Sequence, residues 1–220
     1  INNLGHPARV KEIEEICKAY NILVIEDAAE SLGSFTSGVH TGRIGQTGIL
    51  SFNGNKIITT GGGGALITDD KEVARRAKHL TTTAKQPHPW LFLHDEIGYN
   101  YRLPNINAAL GCAQMEQLST HVNKKRKLAH QYKEWFSKKD IEFVSEPSGA
   151  SSNYWLNSIV LSNIEDRDEF LTYTNSHNVM TRAMWTPMHT LPMYRSCYRT
   201  NLENAEAVEK RLVNIPSSVV

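Results

Sequence analysis

Residues 48–70 read GILSFNGNKIITTGGGGALITDD. An apolar run ends at Ser51-Phe52, one lysine (Lys56) follows, and four glycines (Gly61–Gly64) precede a second apolar run. The stretch has three readings: a phosphate-cradling loop, a reactive amine, or a hairpin with a loose tip. A nucleotide P-loop needs G-x-x-x-x-G-K-[ST]. Gly54-Asn55-Lys56-Ile57 lacks both the Gly-Lys step and the hydroxyl for magnesium. Gly42, Gly45 and Gly48 have the wrong spacing for a dinucleotide fingerprint, and no helix pattern follows them. The tetraglycine reads as a hairpin or close-approach segment that needs positive φ. GILSF, KIITT and ALITDD then read as successive strands, the last two joined through the glycines.

Upstream, NILVIED (21–27) reads as a buried strand that ends in acid, preceded by a helix over 7–20. In that helix Val10, Ile13, Ile16, Cys17 and Tyr20 fall at helical spacing, and Pro7 suits the first turn. Downstream, KEVARRAKHL (71–80) is helical and 81–105 reads as a long ordered loop. NINAALGCAQMEQL (105–118) is a helix whose small residues permit close packing, and a long amphipathic helix runs on to about Lys139. After Asp140 the pattern restarts with strands at IEFVS, YWLNSIVL and VMTRAMW and helices at RDEFLTYTNSH and ENAEAVEKRL. Helices alternating with short β-branched strands predict an α/β fold. The domain boundary is placed within the long helix, giving 1–125 and a smaller α/β domain over 126–220.

Composition narrows the function. The 220 residues carry a formal net charge of +1, with acidic and basic residues interspersed, so no nucleic-acid partner is expected. The run Lys124-Lys125-Arg126-Lys127 reads as a solvated helix face. Cys17, Cys112 and Cys197 are scattered, with neither zinc spacing nor a disulfide framework, which suits a reducing, cytoplasmic compartment. No apolar run reaches the roughly 20 residues of a membrane span, and no signal peptide opens the chain. His94-Asp95-Glu96 looks metal-like, but adjacent ligands on a loop without partners are weak, so no metal is expected.

Chemistry is expected at strand ends. In open α/β sheets ligands bind at the carboxyl ends of strands. Asp27 closes its strand there, followed by small Ala28 and Ala29 that leave room for close approach; equally, it suits a helix cap. If the strands of Asp27 and Lys56 are parallel neighbours, both residues open onto one rim. A lysine and a carboxylate on one rim make an ion pair, or the two poles of a pyridoxal phosphate site, which needs an amine for the Schiff base and an acid for the pyridine nitrogen. Ser51 and Asn53 are candidate donors to the cofactor phosphate.

IEDAAESLGS, LSFNGNKIITTGGGGALITDD and GYNYRLPNINAALGCAQ occur in this order, and together they resemble the DegT/DnrJ/EryC1/StrS family of pyridoxal-phosphate sugar aminotransferases. The stretch TTTAKQPHPWLFLHDEIGYNYRLPN is similar to the subgroup that aminates a UDP-linked 4-keto-6-deoxy-N-acetylhexosamine, in bacillosamine or legionaminic acid pathways. The resemblance implies a fold type I transferase, like aspartate aminotransferase, with part of the large domain plus the small C-terminal α/β domain. It implies Lys56 as Schiff-base lysine, Asp27 as partner of the pyridine nitrogen, Glu30 near the ring's phenolic side and Ser51 on the phosphate. Asn100 matches an asparagine reaching the phosphate of the neighbouring subunit, so the loop 85–104 is expected at the interface of a homodimer with shared sites. Arg102, Arg182 and His189 are candidate substrate contacts, although His189 equally suits an ordinary loop histidine. Glutamate is the implied amino donor and a nucleotide sugar the acceptor. The resemblance implies that the family's N-terminal part is missing here, so an inactive remnant serving as an interaction partner is an alternative expectation. A dehydratase relative, with histidine for lysine, is disfavoured by Lys56.

Overall fold

A computed structural model of the protein describes residues 1–219. In chain order the elements are α1 (Val10–Ala19), β1 (Ile25–Asp27), β2 (Phe35–Thr36), β3 (Val39–His40), β4 (Thr47–Ser51), β5 (Gly64–Thr68), α2 (Lys71–Thr81), α3 (Asn105–Glu116), α4 (Leu118–Phe136), β6 (Glu142–Phe143), β7 (Ala150–Ser151), β8 (Asn157–Val160), α5 (Ile164–Ser176), β9 (Arg182–Ala183), α6 (Glu203–Glu209) and β10 (Leu212–Ile215). Among the described residues no helix is long and apolar enough to cross a membrane. Two compact units result, one of Ile1–Asn123 with Glu146–Asn153, the other of Lys124–Ser145 with Tyr154 onward.

The first unit is built on a sheet of order β1-β4-β5. β1 and β4 are parallel, with Asp27 opposite Ile49, and β4 and β5 are antiparallel, with Ser51 opposite Gly64. The crossover from β1 to β4 carries the hairpin β2–β3 instead of a helix. Buried hydroxyls brace it: Ser31 Oγ donates to Thr41 Oγ1 at 2.9 Å, and Thr41 Oγ1 donates to the Ser31 carbonyl at 2.7 Å. Ala28, Leu32, Leu50, Ile57 and Ile58 form the core under one face of the sheet.

Two expected strands are corrected. NILVIED pairs only over Ile25–Asp27, because Asn21 is left-handed (φ 55°) and turns the chain after α1. KIITT is no strand: Thr60 N–H donates to the Phe52 carbonyl at 3.0 Å, so the chain doubles back and drives both Ile57 and Ile58 into the core. A strand would send one of two consecutive side chains to the opposite face. The glycines instead complete a long connection from β4 to β5, with φ of 80° at Gly61 and 127° at Gly63. α3 pins that connection, Asn107 Nδ2 donating to the Thr60 carbonyl at 2.6 Å and Gln114 Oε1 accepting from Thr59 N–H at 3.3 Å. On the amphipathic α1, Val10 is buried, whereas Ile13, Ile16 and Tyr20 are exposed, as are Leu23 and Ile25.

The second unit is an antiparallel sheet of order β6-β8-β10-β9 with α5, α6 and the later turns of α4. Its core gathers Ala129, Phe136, Phe143, Tyr154, Ile159, Leu161, Val213 and Ile215. β10, the strand LVNI, lay unread behind the charged helix before it. Lys125 departs from the solvated face expected for the basic run: its Nζ donates to the carbonyls of Trp155 at 3.0 Å and Ser217 at 2.7 Å. Burial holds its pKa down at about 8.

Candidate active site

The carboxyl ends of β1 and β4 set the site. Paired residues of a ladder share a face, and so do residues two apart on one strand. Asp27, Ile49 and Ser51 therefore lie on one face, opposite the side that buries Leu50. Asp27 Oδ1 accepts the Ala29 N–H at 3.0 Å, which fixes the carboxylate in a tight local turn. Ser51 Oγ accepts the Asn53 N–H at 3.4 Å and keeps its own proton for donation. Lys56 follows in the turn after β4, its N–H bonded to the Asn53 carbonyl at 3.1 Å.

Lys56 and Glu30 are brought together. Lys56 Nζ stands 3.8 Å from Glu30 Oε1, and both side chains are largely buried, at 13% and 18% exposure. Glu30 Oε2 accepts the Leu4 N–H at 2.7 Å. Burial pushes the Glu30 carboxyl above its usual range; the Leu4 N–H and the Lys56 ammonium oppose this, and Asp27 adds to it.

Two residues that sequence reasoning missed support this cluster. Glu26 is 2% exposed, and its carboxylate accepts from Asn2 Nδ2 at 3.0 Å and from the N–H groups of Ile44 and Gly45 at 3.1 and 3.4 Å. A carboxylate on the core face of a strand, next to one at its end, was the available signal. Asn153 has no local signal: its Nδ2 donates to the carbonyls of Glu30 and Leu32, both at 2.9 Å, from a segment far along the chain.

The loop after α2 carries the other expected residues of the first unit. Asn100 bridges to Thr82, and both Asn100 and Arg102 are exposed. Trp90, Phe92, Ile97 and Tyr101 are exposed along the same loop. His94 Nδ1 faces the Thr83 carbonyl, and its place beside Asp95 and Glu96 is taken by His79 from α2. Arg76 holds both oxygens of Glu96, while Asp95 meets His79 at 2.7 Å and Gln86 at 3.0 Å. The cluster reads as an ion-pair network that clasps the loop to α2. In the second unit, Arg182 is exposed on β9, with Nη2 at 3.6 Å from Met180 Sδ. His189 is tied to Glu206 of α6 at 2.7 Å.

The profile of the DegT/DnrJ/EryC1/StrS aminotransferase family matches residues 1–219. EpsN of Bacillus subtilis (strain 168), whose name assigns it provisionally to the pyridoxal phosphate-dependent aminotransferases, is 40% identical over 88% of this chain and 50% of its own length. GDP-perosamine synthase of Escherichia coli O157:H7 is 38% identical over 97% of this chain and 58% of its own. The chain thus spans 50% and 58% of the length of these two relatives. The solved aminotransferase TlmJ from Streptoalloteichus hindustanus superposes with a TM-score of 0.92 at 26% identity, covering 98% of this chain and 59% of that one.

Proposed function

The chain belongs to the DegT/DnrJ/EryC1/StrS aminotransferase family, and on that premise we propose that it carries the lysine-bearing part of a pyridoxal-phosphate site for transamination of a nucleotide-linked 4-keto-6-deoxy sugar, with glutamate as amino donor. The observation that carries this reading is Lys56 facing Glu30 beside Asp27, at the carboxyl ends of the parallel pair β1 and β4. The donor set fits the cofactor: a largely buried amine, a carboxylate with one oxygen engaged locally, and a hydroxyl with its proton to give.

When bound, pyridoxal phosphate supplies an electrophilic carbon for the amine and a ring that takes up electrons released at the donor's α-carbon. Lys56 would provide that amine and would carry the α-proton as base and then acid. Asp27 would hold the proton of the ring nitrogen, and Ser51 would donate to the phosphate. Asn100 reaches the phosphate of a neighbouring copy, and the exposed apolar residues of its loop support a homodimer as the working form. Arg102, Arg182 and His189 are assigned to the substrate, His189 after release from Glu206.

For the sugar, the stretch 81–105 favours a UDP-linked 4-keto-2-acetamido-2,4,6-trideoxyhexose, while the name of the Escherichia coli relative favours a GDP-linked acceptor. Turnover of the two acceptors with glutamate decides between them. The experiment for the activity itself adds pyridoxal phosphate to the protein and follows visible absorbance with and without glutamate. Lys56→Ala should abolish turnover. Near-normal transamination by that variant sinks the proposal. A protein that gains no absorbance in either condition speaks against the proposed activity.

A further inference from the structure

Leu4, whose N–H donates to Glu30 Oε2, is a strained residue. Its φ of 57° and ψ of 11° lie in the left-handed region, where a side chain crowds the backbone. Such strain persists only where the surroundings over-determine it, and here they do. The Asn2 side chain, fully buried, donates to Glu26 Oε1 at 3.0 Å and accepts from Ala8 N–H at 2.8 Å, while the Asn2 N–H donates to the Asp27 carbonyl at 2.9 Å. On the other side of the turn, the Gly5 carbonyl accepts from Ser34 Oγ at 2.7 Å and Ser152 Oγ at 2.9 Å. The Leu4 side chain is itself buried. The product of this bracing is an N–H whose shorter bond goes to Glu30 Oε2, at 2.7 Å, with Asn3 Oδ1 a longer second acceptor at 3.1 Å, and this leaves Glu30 Oε1 facing Lys56 Nζ at 3.8 Å.

We propose that the left-handed turn at Leu4 is a positioning device for Glu30, and that Glu30, so held, is the group that takes the proton from Lys56 when its amine becomes a nucleophile. The inference rests on Lys56 being the imine-forming lysine. The step balances within the pair. One N–H bond of the Lys56 ammonium breaks, one O–H bond forms on Glu30 Oε1, and the ammonium–carboxylate pair becomes a neutral amine and a carboxylic acid. A rotation of the lysine side chain closes the 3.8 Å gap to hydrogen-bond distance. Oε2 stays on the Leu4 N–H throughout, so the acid cannot swing away with its proton. The raised pKa of Glu30, set by burial and by Asp27 nearby, suits a proton acceptor.

The test reads the rate of imine formation between Lys56 and added pyridoxal phosphate, by absorbance, across pH. Glu30→Gln keeps the size and an oxygen for the Leu4 N–H but cannot accept the proton. It should form the imine about 100-fold more slowly at neutral pH and recover as pH rises, because hydroxide then removes the proton. Glu30→Ala should be equally slow and be rescued by added formate or acetate in proportion to its concentration. Leu4→Gly removes the buried side chain that braces the turn and frees the backbone from its left-handed setting, so it should slow imine formation, and a parent rate there overturns the positioning role of the turn. A Glu30→Gln profile that parallels the parent, or no rescue of Glu30→Ala by small carboxylates, overturns the inference. A parent protein that forms no imine at all overturns the proposed function instead, so the two failures are distinguishable.

Discussion

Asp27 lies directly across the parallel ladder from Ile49, two residues before Ser51. This register, and not proximity in sequence, puts an acid and a hydroxyl on one face beside the lysine turn. Asp27→Asn keeps an oxygen for the Ala29 N–H and loses only the charge. Thermal stability should therefore change little, while transamination falls by orders of magnitude. An active Asp27→Asn enzyme would remove Asp27 from the pyridine nitrogen.

Gly48 has no room for a side chain: a Cβ there would stand 2.0 Å from the Gly42 carbonyl oxygen. Gly48→Ala should cost more than about 3 kcal/mol and leave little folded protein. Gly54, six residues on in the loop before Lys56, has nothing within 4 Å of the same atom. Gly54→Ala should unfold at the same urea concentration as the parent, and a marked shift there would refute the packing argument.

Asp70 caps α2, its Oδ1 accepting from Glu72 N–H at 2.8 Å and Val73 N–H at 3.1 Å. Asp70→Ala should lower stability by about 1 kcal/mol in urea titrations, and Asp70→Ser should restore most of it.

Stability should rise with pH through two windows. Burial lowers the pKa of His6 from 6.5 to about 4, against a partial opposing pull from Glu146, and that of Lys125 from 10.5 to about 8. In each case the folded state resists the proton that the unfolded state binds. For His6 the full contribution is present above pH 6.5 and is lost as pH falls towards 4, a loss on the order of 3 kcal/mol. For Lys125, stability gains between about pH 8 and 10.5. Unfolding midpoints at pH 7.5 and 4.5 should diverge in the parent and converge in His6→Gln; equal divergence in both would assign the effect elsewhere.

Much of this was legible along the chain because it is periodic or local. The helices over 71–81 and 105–116 were legible, the second from its small helix-forming residues, and the paired acid and lysine were visible at strand ends. KIITT was misread because β-branched residues favour a strand locally, whereas Ile57 and Ile58 both face the core. The hairpin β2–β3 was hidden in a stretch where Gly38 and the polar residues around it give no alternation.

By itself the sequence determined the α/β class, the candidates Asp27, Ser51 and Lys56, to which the family resemblance added Glu30, and the glycine requirement after the lysine. Only the tertiary structure decided that Glu30 faces Lys56, that a left-handed Leu4 fixes it, and that Asn153 braces its backbone from far along the chain. The physical reason is that periodicity reports which face of an element is apolar. A buried hydrogen bond between residues distant in sequence is selected by the folded backbone, which must satisfy its polar groups with whatever the closed chain brings near.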